Sequence, residues 1–413
     1  MRVIGIIAEY NPFHNGHEYL IKEARKRVGD PRAVVMSIMS GPFTQRGLPA
    51  MAPAHIRAKQ ALKCGCDVVI ELPFEYACAP ASEFAYGAVK SLMDTGVVTD
   101  IAWGIEDTSP DIVEALSDPS LYEREAYKDA LRKALASGDS FPLANSKAVA
   151  AVAGSVDPEL LQEALRSPNT ILAIEYMKAI RMLGAKFKVH MIPRQGQGYS
   201  DDDPETDQQF CSASAIRKAV MSSDGTVSGI ASAVCGRMPD NAASVMLSAL
   251  SRGEFRPADL NEYALRAVTF PRGDLHEIRF MNDGLDGYIS NILDDLRTGD
   301  TTFDALSARL ATKHFTMARI YRALTMMLLG VRGDMVRKDP CYIRVLGFGH
   351  EGRYCLKIMG KCSRLPIIHN FSDFLENGNL KDAADLSLRA YDLAGIIMGM
   401  PPGSARDIPP VIV

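Results

Sequence analysis

Val3-Ile4-Gly5-Ile6-Ile7-Ala8-Glu9-Tyr10-Asn11-Pro12-Phe13-His14-Asn15-Gly16-His17 stands near the start of this 413-residue chain and decides how the rest is read. A run of β-branched residues breaks at a Pro turn and passes into His-x-Gly-His, whose second histidine starts a helical apolar pattern at Tyr19, Leu20, Ala24 and Val28. The order strand, turn, helix sets two imidazoles and a glycine at a helix N-terminus. Backbone N–H groups and the positive end of the helix dipole meet there, so a phosphate can sit against them. Gly16 allows a phosphate or an adenine ring to approach the backbone. The imidazoles can donate to oxygens that gain charge as an α-phosphate is attacked. Two unrelated loop histidines also produce His-x-Gly-His. What favours a nucleotide site is its position in the first strand-to-helix turn of an α/β pattern, because open parallel sheets bind ligands at the carboxyl ends of their strands.

The pattern continues outward from that segment. Strand-like runs at Val3–Ala8, Ala33–Met39, Asp67–Leu72, Ile101–Gly104 and Phe187–Ile192 alternate with helical patterns at 17–28, 54–64, 81–95 and 168–183. Such alternation predicts an α/β fold, a Rossmann-like, doubly wound parallel sheet. A helical group at about 109–166 reads as an insertion before the last of these strands. The polar stretch 196–209, with Asp201-Asp202-Asp203-Pro204, reads as a mobile loop. Residues 241–330 are helical in pattern. Short strand candidates follow at Tyr342–Phe348 and Tyr354–Met359, then a last helix near 379–399. The expected division is a catalytic domain at 1–222 and a mainly helical domain with a few short strands at 223–413, which is read as RNA-binding.

Composition narrows the class. Apolar content of 47% and charged content of 23% are those of a soluble globular protein. The N-terminal apolar run is broken by Glu9 and lacks a basic region and cleavage site, so it reads as a core strand rather than a signal peptide. Apolar runs near Met326–Val331 and Gly395–Met400 fall far short of the ~20 residues of a spanning helix, and a cytoplasmic protein is expected. Cysteines 64, 66, 78, 211, 235, 341, 355 and 362 are scattered and read as reduced thiols, with no spacing of a zinc site. Net charge is −4, yet residues 301–413 hold 15 Lys/Arg against 10 Asp/Glu. Between Arg309 and Arg364 twelve basic residues meet three acidic ones, a bias that suits a polyanionic partner. Tyr321, Tyr342, Phe348 and Tyr354 are interleaved and suited to stacking on unpaired bases; a solvated basic face with core aromatics is the other reading.

A second motif completes the first. Ser212-Ala213-Ser214-Ala215-Ile216-Arg217 starts a helix with Ser212 placed as N-cap. Hydroxyls and N–H groups there can hold the β- and γ-phosphates, and Arg217 can pair with departing pyrophosphate. An early H-x-G-H and a late S-[ST]-x-x-R-type motif resemble the nucleotidylyltransferase superfamily; the chain has Ala213-Ser214 where many members have Ser-Thr or Ala-Thr, which keeps the hydroxyl. The resemblance narrows over Gly5–His17, Met39-Ser40-Gly41-Pro42-Phe43-Thr44-Gln45-Arg46-Gly47, Asp67-Val68-Val69-Ile70-Glu71-Leu72-Pro73, Ser167-Pro168-Asn169-Thr170, Ser212–Arg217 and Tyr342–Phe348. Together these are similar to the bacterial tRNA(Met) cytidine acetate ligases over nearly the whole chain.

That resemblance implies that ATP and acetate form acetyl-adenylate, and that the acetyl group passes to N4 of the wobble cytidine of elongator tRNA(Met). It places ATP contacts at Ile7, Ala8, Glu9, Tyr10, Asn11, Pro12, Phe13, His14, Asn15, Gly16, His17, Glu18, Tyr19 and Leu20, and at Gly104, Asn169 and Arg194 with Gln195 beside it. Ser212 and Ser214 join them at the second motif. His14, His17 and Arg217 are the expected catalytic residues. Arg46, Arg337, Lys338 and Arg344 are expected to face tRNA. No protein metal site is expected, and any Mg²⁺ would ride on the nucleotide. Two other readings stay open: a small-molecule adenylyltransferase that makes a dinucleotide cofactor, and a nucleotide-sensing RNA-binding protein without catalysis.

Overall fold

The computed structural model describes residues 1–106, 110–139, 141–153, 158–194, 210–270, 273–376 and 378–413. Five parallel strands form the expected frame: β1 (Val3–Ala8), β2 (Val34–Ser40), β3 (Val68–Leu72), β4 (Asp100–Ile105) and β5 (Lys188–Pro193). They lie in the order β5-β4-β1-β2-β3. The chain moves from β1 to one side through β2 and β3, then returns to the other side for β4 and β5. The direction therefore reverses beside β1, and its carboxyl end opens into the crevice where such sheets take ligands. β1, β2 and β3 read as continuous apolar runs because both faces are covered. One face of the sheet packs with Ile4, Ile6, Val35 and Ala102, and the other with Ile7, Met36, Ile38 and Trp103.

Helix α1 (Asn15–Val28) follows β1, and α2 (Ala54–Lys63) precedes β3. Helices Ala81–Asp94 and Pro168–Leu183 pack on the Trp103 face. The insertion is helical, with five helices from Pro110–Leu116 to Pro158–Arg166. The polar stretch 196–209 lies outside the described residues.

The C-terminal region is mainly helical with a few short strands, as expected, and departs from the sequence reading at one segment. β6 (Ile343–Phe348) pairs antiparallel with β3, and β7 (Ile367–Ile368) and β8 (Val411–Ile412) run parallel to β6, so these strands extend the sheet of the N-terminal region. The expected strand at Tyr354–Met359 is instead part of helix His350–Cys362, which buries Gly352, Cys355 and Met359 at helical spacing. Helix Met317–Leu329 docks on the loop after β2. Gly47 makes this approach possible: its φ is +89°, and a Cβ would lie 2.3 Å from the Arg322 nitrogen. Arg322 Nη1 donates to the Gln45 carbonyl at 3.0 Å and Thr325 Oγ1 to that of Gly47 at 2.6 Å. Thus the C-terminal half fixes a loop of the N-terminal crevice. Among the described residues no helix is long and apolar enough to cross a membrane.

Candidate active site

His14 is the N-cap of α1, and its Nδ1 accepts the Gly16 N–H at 3.1 Å; His17 Nδ1 accepts the His14 N–H at 3.1 Å. This reciprocal pair is a capping box built from two histidines, where Ser/Thr and Glu/Gln are usual. The rings lie 3.8 Å apart, and Phe13 and Tyr10 pack against His17 at 5.4 and 4.9 Å. Gly16 has a further reason to be glycine: a Cβ there would come within 2.9 Å of the His14 ring. Burial, reinforced by the charges of Arg194 and Arg217, holds the His14 pKa down to about 3. Burial, with His14 and Arg194, lowers that of His17 well below its ordinary value. Both rings are therefore neutral, and since each Nδ1 accepts, each proton sits on Nε2. The cap thus turns two histidines into two N–H donors at the mouth of a helix.

Opposite stands the helix Ala213–Met221, with Ser212 as its N-cap, accepting the Ala215 N–H at 3.0 Å. Arg217 donates through Nη1 to the Asn11 carbonyl at 2.8 Å and through Nη2 to Ser214 Oγ at 3.2 Å, joining the two motifs across the crevice. Asn11 is itself fixed, its Oδ1 accepting the Met51 N–H at 2.7 Å. Sequence reading missed Arg57, on which this corner turns. Fully buried, it donates to the carbonyls of Ala52, Glu9, Ser40 and Gly41, tying the loop after β1 to the loop after β2. Burial holds its pKa to about 10, which still leaves it charged.

The crevice is a cleft of about 410 Å³, within the range of ligand pockets. Ile7, Ala8, Glu9, Tyr10, Asn11, His14, Gly16, His17, Tyr19, Leu20, Arg46, Gly104, Asn169, Arg194, Ser212, Ser214 and Arg217 line it. Four expected contacts sit elsewhere. Pro12 and Phe13 are buried beneath the wall; Asn15 Nδ2 donates to the Gly236 carbonyl at 2.8 Å; Glu18 pairs with Lys22 at 2.9 Å. Gln195 lies outside the described residues. Lining residues without a sequence signal include Trp103, Tyr176, Phe84 and, from the C-terminal region, Pro257, Ala258 and Leu260. Nothing in the spacing of these residues marks them, because they reach the cleft only through tertiary packing.

The expected tRNA residues divide. Arg46, Arg337 and Lys338 are exposed. Arg344 is a correction: only 4% exposed, it pairs with buried Glu71 at 2.8 Å across β3 and β6, and lies 4.0 Å from the Phe371 ring. Its charge is consumed in the core. Tyr342 is likewise buried against Phe374, and Tyr321 stacks on Phe303; Tyr354 alone of the expected stacking aromatics is fully on the surface.

The model of the HIGH Nucleotidyl Transferase family matches residues 1–402. A tRNA(Met) cytidine acetate ligase of Acetivibrio thermocellus is 32% identical over 404 residues, covering 95% of this chain and 94% of that protein. One from Syntrophotalea carbinolica is 36% identical over 379 residues, covering 90% and 85%. Crystal structures of Thermotoga maritima TmcAL superpose over the full length of both chains, the apo form with a TM-score of 0.87 at 28% identity and the form bound with alpha-thio ATP with 0.86 at 29%. The chain therefore belongs to the tRNA(Met) cytidine acetate ligase family of HIGH nucleotidyl transferases.

Proposed function

We propose that the protein activates acetate with ATP as acetyl-adenylate and transfers the acetyl group to N4 of the wobble cytidine of elongator tRNA(Met). The observation that carries this reading is the neutral His14/His17 pair, two Nε2–H donors held at a helix N-terminus across from Ser214 and Arg217. The acetate carboxylate attacks the α-phosphorus and pyrophosphate leaves. The imidazoles donate to the oxygens that gain charge, while Arg194 and Arg217 supply positive charge near the β- and γ-phosphates. Catalysis then rests on positioning and electrostatics, with no covalent protein nucleophile. Any Mg²⁺ would ride on the nucleotide's phosphates. No step above depends on it.

The test is incorporation of labelled acetate into full-length elongator tRNA(Met) and into its isolated anticodon stem-loop, at equal concentration and low salt. The reading predicts ATP-dependent acetylation of the full tRNA, with slower reaction of the stem-loop, which meets fewer basic side chains. Absence of label from both would return the small-molecule adenylyltransferase to first place.

A further inference from the structure

The cleft has two sides, and the residues given a part in phosphate chemistry stand on only one, while Ile7, Glu9 and Asn169 of the expected ATP contacts border the other. His14, His17, Gly104, Arg194, Ser212 and Arg217 serve the side of α1, where Ala102 and Ile192 form the sheet surface. Round the end of β1, on the opposite face of the sheet, the cleft continues between Trp103, Tyr176, Phe84 and Leu172, with Ile7 as its base. Trp103 and Tyr176 rings lie 5.3 Å apart. This lobe is aromatic but not dry of polar groups. Trp103 is only 3% exposed, yet its indole N–H has no acceptor among the described residues, an arrangement that is unfavourable unless a ligand completes it. Glu9 stands where the two lobes meet, one oxygen fixed by the Gln45 N–H at 2.8 Å, which leaves the other for a ligand. Its charge also reaches Tyr176, whose hydroxyl is pushed above its usual pKa by burial and by Glu9. At the outer edge stands Asn169, whose Nδ2 donates to Glu106 behind it at 2.7 Å; the other Glu106 oxygen is buried without a partner among the described residues.

A ligand that suits this lobe is a flat ring with an acceptor for the indole N–H and an amine for a carboxylate. The carboxylates disfavour phosphate, so the nucleotide's phosphates belong on the histidine side. We propose that the Trp103–Tyr176–Phe84 lobe is the acceptor subsite that receives the unstacked cytosine, with Trp103 Nε1 donating to a ring acceptor and Glu9 accepting from the N4 amine. This rests on the ligase reading above and adds the residues that choose the base. In the transfer step N4 attacks the acetyl carbonyl carbon, the bond from that carbon to the phosphate oxygen breaks, and AMP leaves with its electron pair. One N4 proton passes to the Glu9 carboxylate.

The chain has one tryptophan, so its emission reports this lobe alone. Titrating the wild-type protein with cytidine is expected to change Trp103 fluorescence saturably, uridine much less, and saturating ATP is expected to leave the cytidine response in place. In steady-state acetylation, Trp103→Phe is expected to raise the KM for tRNA about fivefold, the worth of one hydrogen bond, with kcat changing far less. Emission that ignores cytidine, or a cytidine response that saturating ATP abolishes, would overturn the assignment, the latter making the lobe an adenine pocket. A wild-type KM for tRNA in Trp103→Phe would also overturn it. A protein that neither exchanges pyrophosphate nor acetylates tRNA would instead remove the ligase reading beneath it.

Discussion

At His14 and His17 the same ring atom, Nδ1, is occupied by a backbone N–H, and this fixes both tautomers without a carboxylate partner. A donor pair of this kind does not follow the titration of free histidine. Because both pKa values are depressed, by burial first and by neighbouring charges after it, pyrophosphate exchange should show no inflection near 6.5 that belongs to these rings. Stability carries the opposite mark. The unfolded chain takes up protons at its histidines below the ordinary value while the native rings do not, so the benefit of burying neutral imidazole is complete above pH 6.5. It is lost as pH falls toward about 3, the folded value for His14. His14→Asn tests both statements. Asn is a strong N-cap, so the variant should fold. Its exchange rate should drop about 100-fold or more, as for loss of one oxyanion donor. The pH slope of its stability on the acid side should shrink by up to about 1.4 kcal/mol per pH unit, measured by urea denaturation. The motif was legible from residue order alone, since strand, turn and helix N-cap are local. The tautomers were not, because they follow from which N–H groups the folded turn presents.

Among the elements, β6 teaches most. Tyr342–Phe348 was readable as a strand from its alternation and β-branched content, but its partner was not, because pairing with β3 spans more than 270 residues of chain. Arg344 therefore looked like one member of a basic surface and is in fact the counter-ion of Glu71. Tyr354–Met359 misled for a different reason: a short apolar run fits either period, and packing against β2 and β6 selects the helix. Arg344→Met should leave Glu71 buried without its charge and cost about 3–5 kcal/mol, with a double Glu71→Met/Arg344→Met variant recovering most of it. Urea midpoints measure this. The salt dependence of tRNA binding should not change in the double variant, which separates a core ion pair from a phosphate contact.

For the whole molecule, the basic bias of residues 309–364 shrinks once the fold pairs its members. Arg309 meets Asp295, Arg319 meets Asp283, and Arg332 meets Asp334. Arg353, Lys357 and Lys361 remain as an exposed stripe at i, i+4 and i+8 of helix His350–Cys362, beside Tyr354 at 61% exposure, with no ion pair among the described residues. Arg337 and Lys338 are exposed on the preceding segment. Reversing Arg353, Lys357 and Lys361 to Glu should weaken tRNA binding and reduce the slope of log affinity against log salt by about two to three, at roughly 0.7–0.9 per lost phosphate contact; an unchanged slope would place the tRNA elsewhere. Chemistry at the histidine pair should not notice the change. The measurement closest to the central claim is therefore acetate-dependent exchange of labelled pyrophosphate into ATP in the absence of tRNA. The account predicts exchange by the wild-type protein only when acetate is present, and a fall of about two or more orders of magnitude in His17→Ala with ATP binding far less affected. Exchange that does not need acetate, or a His17→Ala protein that exchanges at the wild-type rate, would contradict it.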